Sequence, residues 1–539
     1  MPDELVPVGA GGRYGARVNP LPQSSVRGSR HLVAAADQIA ARAGDLIFER
    51  GGNAVDAAIA TNAAIAVTGP HLCGMGGDLF ALVHDGTGVA ALNSSGRAGS
   101  GADADALRAE GHAVMPFRHD IRTVTVPGCV DGWCALHARY GSLPLADLLA
   151  PAIDLADNGF TASPLLVGSL TRVDAAGRAN LGELVDAARR TGDLVRRPGV
   201  AGALRAVATH GRDGFYGGAF GTGLRTLGAG LFTDADLATP QAEWVEPLTA
   251  PMFGVTAHTI GPNSQGYLTL GGGILAAELD LPDDPDDERW AHLLVEAAKL
   301  ASYDRLEVLH EHADGTALLD AIRARRGRID TEHASSYWLA GSAGDTTYLC
   351  TAEVGGLAVS LIQSNASGFG SWIVEPNTGI NLHNRGLGFS LESGHPAELA
   401  PGRRPPHTLS PVLATRENEL VAAFGTMGGD AQPQILLQVA ARLFLHGHSP
   451  AAAINAPRWA LSGPGTGFDT WRDLDRQVVD VEDHAPRQWS DGLARRGHAV
   501  RRLAAFGSDF GHAHTVVVDG SGLAGAADPR CRVGAVVGR

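Results

Sequence analysis

Cysteine is scarce in this chain, with five residues among 539: Cys73, Cys129, Cys134, Cys350 and Cys531. The number is odd and no CxxC spacing occurs, so neither a disulfide framework nor a zinc site is implied, and small buried thiols are expected. Positive charge is in deficit as well: 43 Lys and Arg stand against 58 Asp and Glu, a formal net charge of −15. Nucleic acid and anionic membrane surfaces call for clustered positive charge, so with this balance neither is expected as a main partner. No segment supplies the roughly 18 uncharged apolar residues of a membrane span. The first residues, MPDELVPVGAGGRYGARVNP, lack the charged start and apolar run of a secretory signal, which makes a cytoplasmic location the expectation. Common catalytic signatures are missing too: there is no GxxxxGK[ST] loop, HExxH, GxSxG elbow or SxxK pair.

What is present fits an ordinary globular protein. Hydrophobic residues make up 44% and charged residues 19%, too apolar for disorder. The length favours two or more domains or one large layered one, and 71 glycines foretell many tight turns. From His31, HLVAAADQIAARAGDLIFERGG has apolar residues at helical spacing and ends in Gly51-Gly52, a C-cap signature. NAVDAAIATNAAIAVTG reads as a second helix, apolar nearly all round and therefore buried. Next come a Gly-rich loop and a hairpin in HLCGMGGDLFALVHDGTGVAALN. SLPLADLLAPAIDLADNGF and ERWAHLLVEAAKLASYDRLEV read as helices, residues 165–245 as mostly helical. TTYLCTA, a turn at Glu353-Val354-Gly355-Gly356 and LAVSLIQ form a β-hairpin, as do PVLAT and LVAAFG, which lead through TMGGD into AQPQILLQVAARLFLHG. Hairpins in both halves with helices around them predict an α+β fold of sheet layers covered by helices.

Several patterns could carry chemistry. His310-Glu311-His312, His446-Gly447-His448 and His512-Ala513-His514 are H-x-H pairs, but no carboxylate or Cys set accompanies them, so no metal is expected. Gly74-Met75-Gly76-Gly77-Asp78 is a tight core turn or a functional loop. Thr426-Met427-Gly428-Gly429-Asp430 lies between a strand and a long helix, where unpaired N–H groups can stabilise a developing negative charge. Thr346 stands at the head of the TTYLCTA strand behind the small residues Ala340 to Gly344 and Asp345. An internal Thr hydroxyl is a poor nucleophile. If the preceding peptide bond is cut, the new α-amine, with pKa near 8, can act as general base for the same residue's Oγ. In this window alone, Asp345 and Thr346 read more simply as turn formers before an edge strand.

The segments GGNAVDAAIATNAAIAVTGPHLCGMGGDLF, GDTTYLC, AVSLIQS, TGINLHNRGLGFSL, APGRRPPHTLSP and FGTMGGDAQPQ together resemble the γ-glutamyltransferase family of N-terminal nucleophile hydrolases. They occur in the family's order from about residue 30 to the C-terminus. The resemblance implies a precursor that cleaves itself between Asp345 and Thr346. Its large segment 1–345 and small segment 346–539 would share one four-layer αββα sandwich. Thr346 would form an acyl-enzyme, Gly428 and Gly429 would match the oxyanion pair, Ser364 would hydrogen-bond the nucleophile, and Thr347 would be the second Thr of the T-T start. No metal or organic cofactor is implied. The partner is a small amide or peptide, and a homo-oligomer is left open.

Departures from the family pattern bear on the substrate. Tyr348, Leu349 and Cys350 follow the T-T pair, and Ala366, Arg385 and Gly388 stand where an Asn, a Gln and an Asp hold the glutamyl α-groups. His407-Thr408 replaces a Ser-Ser pair, and Arg97 in SSGRAGSG is the nearest counterpart of a carboxylate-binding Arg. Arg97, Arg385, His407, Thr408 and Asp430 are therefore the candidate substrate contacts. With an Arg gained and an acid lost, the pocket should favour an acidic acyl group without a free amine. NRGLGFSL resembles the subgroup containing cephalosporin acylases and oxamate amidohydrolases. A true γ-glutamyltransferase acting on glutathione and an unprocessed, ligand-binding homologue are the alternatives.

Overall fold

A computed structural model of the chain describes residues 22–335, 346–462 and 478–539, so Asp345 lies outside the described residues. The hairpin around Gly355 forms as its sequence predicts: strand Thr347–Glu353 pairs antiparallel with Leu357–Ser364. Gly355 and Gly356 take φ of 122° and 103°, left-handed values that glycine adopts without a Cβ clash. This hairpin lies at the centre of a seven-stranded antiparallel sheet. Ala535–Gly538 and His31–Ala35 complete one side, and Asp78–Asp85, Val89–Ser94 and Glu243–Val245 the other. A second seven-stranded antiparallel sheet runs Val26–Gly28, Gly522–Ala526, Ala513–Asp519, Glu419–Thr426, Val412–Arg416, Val255–Thr259, Leu248–Met252. Both sheets mix strands from before and after residue 346.

The period-2 alternation of these strands sorts side chains between two environments. Phe80, Leu82, Tyr348 and Ile362 of the first sheet meet Leu413, Ala423, Val516 and Leu523 of the second in one buried cluster. Each such fully buried Leu, Ile or Phe contributes roughly 1.5–3 kcal/mol. On the other face of the first sheet, Val33, Leu79, Val83, Leu349 and Leu361 pack with helix Ala54–Thr68, all of whose residues are buried. Helices Gly266–Ala277, Glu288–Ser302 and Gln432–Ala440 supply the cluster that includes Ala257, Val412 and Phe424 of the second sheet. Gly425 fixes how closely the sheets approach, because a Cβ there would lie 2.2 Å from the Tyr348 ring.

One expectation is corrected. The helix predicted from His31 starts at Gln38, and His31–Ala35 is a strand between Thr347–Glu353 and Ala535–Gly538. HLVAA carries no charge to set a helical face, so two waiting strand edges decide it. Asp37 then begins the helix by accepting the Ile39 N–H at 2.7 Å. All five cysteines are free, and four are buried. No helix among the described residues is long and apolar enough to cross a membrane.

Candidate active site

Thr346 sits immediately before strand Thr347–Glu353 and is almost wholly buried. Its Oγ1 donates to Ser364 Oγ at 3.0 Å. Ser364 ends the partner strand, and its Oγ also accepts from the Ala366 N–H (2.8 Å) and from Arg385 Nη2 (3.3 Å). Ala366 adopts φ +72°, and this turn presents its N–H to the hydroxyl. Arg385 is wholly enclosed, and its Nη1 donates to Thr408 Oγ1 at 3.0 Å. Burial lowers the Arg385 pKa to about 10, against the opposing pull of Asp78 and Asp430. A residue in this state stays cationic at neutral pH. Four residues far apart in the chain, Thr346, Ser364, Arg385 and Thr408, thus form one hydrogen-bonded row.

The Gly-rich loop after strand Glu419–Thr426 folds as a short 3-10 turn, Gly429–Ala431, running directly into helix Gln432–Ala440. Gly428 has φ +141° and Gly429 φ +55°, conformations that turn the peptide planes out of the helical ladder. Neither N–H donates to a carbonyl among the described residues. Gln265 ties this loop to the row: its Nε2 donates to Gly429 O (2.9 Å) and Thr408 O (3.1 Å). Its Oε1 accepts from Arg305 Nε at 2.9 Å, and Arg305 Nη2 lies 3.6 Å from Asp430 Oδ1. Beyond Arg305 opens a cavity of about 560 Å³, whose lining includes Val114, Leu309, Gly388, Phe389 and Pro406.

The other sequence-predicted residues are placed differently. Thr347 is buried on the opposite face of its strand, beside Leu349 and Thr351, and its hydroxyl finds no partner among the described residues. Its side chain is turned from the face that Thr346 and Tyr348 share. His407 points away from the row: Nε2 lies 3.2 Å from Asp78 Oδ2, and Nδ1 accepts the Leu409 N–H at 3.3 Å. Both ring nitrogens are therefore used inside the protein. Arg97 is part-exposed, 3.6 Å from Glu243 and 3.5 Å from Glu311, and donates to Gly402 O at 3.2 Å; it makes no hydrogen bond to the row. Asp430 lies behind Gly429, facing Arg305.

Asp78, Gln265, Arg305 and His383 were not singled out as site residues by their sequence context. Only the GMGGD cluster gave a signal, and it named Asp78 without giving it a partner. The H-x-H pairs form no three-donor metal cluster among the described residues. One such group is found elsewhere: His292, Glu296 and His498. Lys299 Nζ donates to Glu296 Oε1 at 2.9 Å and lies 3.2 Å from His498 Nδ1, while His498 Nε2 lies 3.0 Å from His292 Nδ1, so these side chains already engage one another.

Residues 40–538 match the sequence profile of the Gamma-glutamyltranspeptidase family. Among curated relatives, the Glutathione hydrolase-like YwrD proenzyme of Bacillus subtilis is 32% identical, over 94% of this chain and 98% of its own length. The Oxamate amidohydrolase proenzyme of Klebsiella pneumoniae is 34% identical, over 93% of this chain and 97% of its own. A solved cephalosporin acylase from Bacillus halodurans superimposes with a TM-score of 0.87 at 33% identity, covering 98% of this chain and 99% of that one.

Proposed function

The chain belongs to the gamma-glutamyltranspeptidase family of amide-hydrolysing enzymes, and from that premise we propose that it cleaves amides of a small acidic acyl group through Thr346. In this reading the peptide bond between Asp345 and Thr346 is cut by the protein itself, on a four-layer αββα frame shared by segments 1–345 and 346–539. The freed α-amine takes the Thr346 hydroxyl proton as Oγ1 attacks the scissile carbonyl. The N–H groups of Gly428 and Gly429 receive the negative charge on the carbonyl oxygen. The amine leaves with the proton, and water or an acceptor amine then releases the acyl group from Oγ1. Ser364 keeps Oγ1 oriented, and Arg385 faces the acyl carboxylate.

The observation that carries this reading is the row in which the Arg385 guanidinium and the Thr346 hydroxyl share one acceptor, Ser364 Oγ. The two contacts of 3.0 Å and 3.3 Å keep the cation within about 6.3 Å of the nucleophile, the reach of a short dicarboxylic acyl chain. Names of the relatives add weight, since one is an oxamate amidohydrolase. Turnover of γ-glutamyl p-nitroanilide, glutaryl p-nitroanilide and oxamate tests it. The reading expects one of the amine-free acids to be preferred; turnover of the γ-glutamyl compound alone would overturn it in favour of a true γ-glutamyltransferase.

A further inference from the structure

The GMGGD turn has no place in the chemistry above, yet its last residue sits directly behind it. Asp78 opens strand Asp78–Asp85 and lies opposite Ser364 in the sheet register. Its carboxylate is wholly buried. Oδ1 accepts the N–H groups of Gly96 (3.0 Å) and Gly128 (3.1 Å). Oδ2 faces two histidines, His407 Nε2 at 3.2 Å and His383 Nδ1 at 3.7 Å. Gly77 explains how the carboxylate reaches this depth: a Cβ at that position would fall 2.2 Å from Ser364 O.

The hydrogen bonds fix the tautomer of His407. Its Nδ1 accepts from the Leu409 N–H, so Nε2 carries the proton and donates it to Asp78. The ring is packed on Phe80, with centroids 4.7 Å apart. His407 is followed at once by Thr408, the acceptor for Arg385 Nη1. On the other flank, His383 Nε2 donates to Thr125 O at 2.9 Å and Asn384 Nδ2 to Phe117 O at 2.7 Å, and Arg385 comes next.

We propose that Asp78 is a positioning residue for the acyl-binding arginine: it acts through His407 on Thr408, and so sets the posture in which Arg385 meets the substrate. The proposal rests on the reading of Arg385 given above. The protonation states agree with the geometry. Burial pushes the His407 pKa down to about 3, so the ring is neutral at pH 7. Although burial alone would raise it, Asp78 is held below the usual carboxylate range by His383, His407 and Arg385. The anion comes from the chain before residue 345 and the arginine from the chain after it, so the pocket is assembled across both segments.

Asp78→Asn tests this in the self-processed enzyme. The Asn oxygen can still accept from Gly96 and Gly128, but its NH2 then confronts the His407 Nε2–H, donor against donor. His407 must either turn away or give up the Leu409 bond, and Thr408 moves with it. Displacements of about 1 Å in a binding group cost on the order of a hundredfold. Loss of the negative charge partly offsets this by strengthening the arginine's field. We expect KM for glutaryl p-nitroanilide to rise about tenfold with kcat little changed, while KM for the uncharged pentanoyl p-nitroanilide stays within about threefold. His407→Phe, which removes the ring N–H but leaves the Asp78 charge in place, should give the same split and guards against a folding defect in the first variant. Equal losses on both substrates, or a split in Asp78→Asn that His407→Phe lacks, would overturn the proposal. Arg385→Lys on the same pair separates the two readings. If it discriminates and the other two variants do not, only the role of Asp78 falls; if it does not, the reading of Arg385 falls as well.

Discussion

Replacing Arg385 by Lys changes the pocket with the least collateral damage. Methionine would remove the charge altogether, leaving Asp78 and Asp430 buried with less compensation, a situation that costs about 3–5 kcal/mol of stability. Lysine keeps a cation but not the planar fork that reaches Ser364 and Thr408 together at 3.3 Å and 3.0 Å. One charge-assisted hydrogen bond contributes roughly 1.5–3 kcal/mol. Since about 1.4 kcal/mol is a factor of ten, kcat/KM for glutaryl p-nitroanilide should fall at least about tenfold, and by more than a hundredfold at the upper end. The uncharged pentanoyl analogue makes no such bond and should lose no more than about threefold. Steady-state kinetics on both substrates, with a thermal melt to show that the fold is retained, reads the difference directly. An equal loss on both would refute the assignment of Arg385 to the acyl carboxylate and reduce it to a support for Ser364.

Two further perturbations follow from the same geometry. Gly428→Ala adds a side chain at φ +141° and brings its Cβ to 3.3 Å from Ile435 Cδ1, so the loop must move. Loss of one oxyanion donor costs about 10²–10³ in kcat, with KM little affected; an unchanged kcat would place the developing charge elsewhere. The second concerns acid stability. Burial holds His71, His407 and His512 down to about pKa 3 and His514 to about 4. Between these values and 6.5 the unfolded chain binds protons that the folded chain does not, so stability is complete above pH 6.5 and falls as pH drops. Each histidine contributes up to about 1.4 kcal/mol per pH unit in that window, above the range where most carboxylates titrate. The urea midpoint should therefore decrease clearly from pH 7 to pH 5.5, and a constant midpoint would contradict the burial of these rings in neutral form.

The hairpins and the Ala-rich helix were legible because a period of two, or an unbroken small-residue face, survives in the local sequence. His31–Ala35 was not, since HLVAA suits either element and only the flanking strands Thr347–Glu353 and Ala535–Gly538 select one. Thr346, Ser364, Arg385 and Thr408 could be named from motif resemblance, and the fold brings those four into one row. The local sequence says nothing of direction, however. It set Thr347, as the second Thr of the T-T start, among the site residues beside Thr346, although adjacent strand residues face opposite sides. It treated His407 as a substrate contact, although its proton goes to Asp78, 329 positions away. Gln265 and Arg305 brace the Gly428–Gly429 loop from a helix N-terminus and a short turn that carry no local signature. Arg97 stood in a suggestive loop, but Glu243 and Glu311, distant in sequence, surround it.

The central claim is that the nucleophile is the first residue of a separate polypeptide. Incubating the active protein with a slowly released glutaryl ester, quenching in acid and measuring intact masses tests it most directly. The account predicts two chains of about 36 and 20 kDa, the 55.7 kDa of the 539 residues divided between 345 and 194, with the acyl mass on the smaller one, at the Thr346 side chain of a peptide beginning TTYLC. Full turnover by an unbroken chain, or an acyl group found on any other residue, would contradict it.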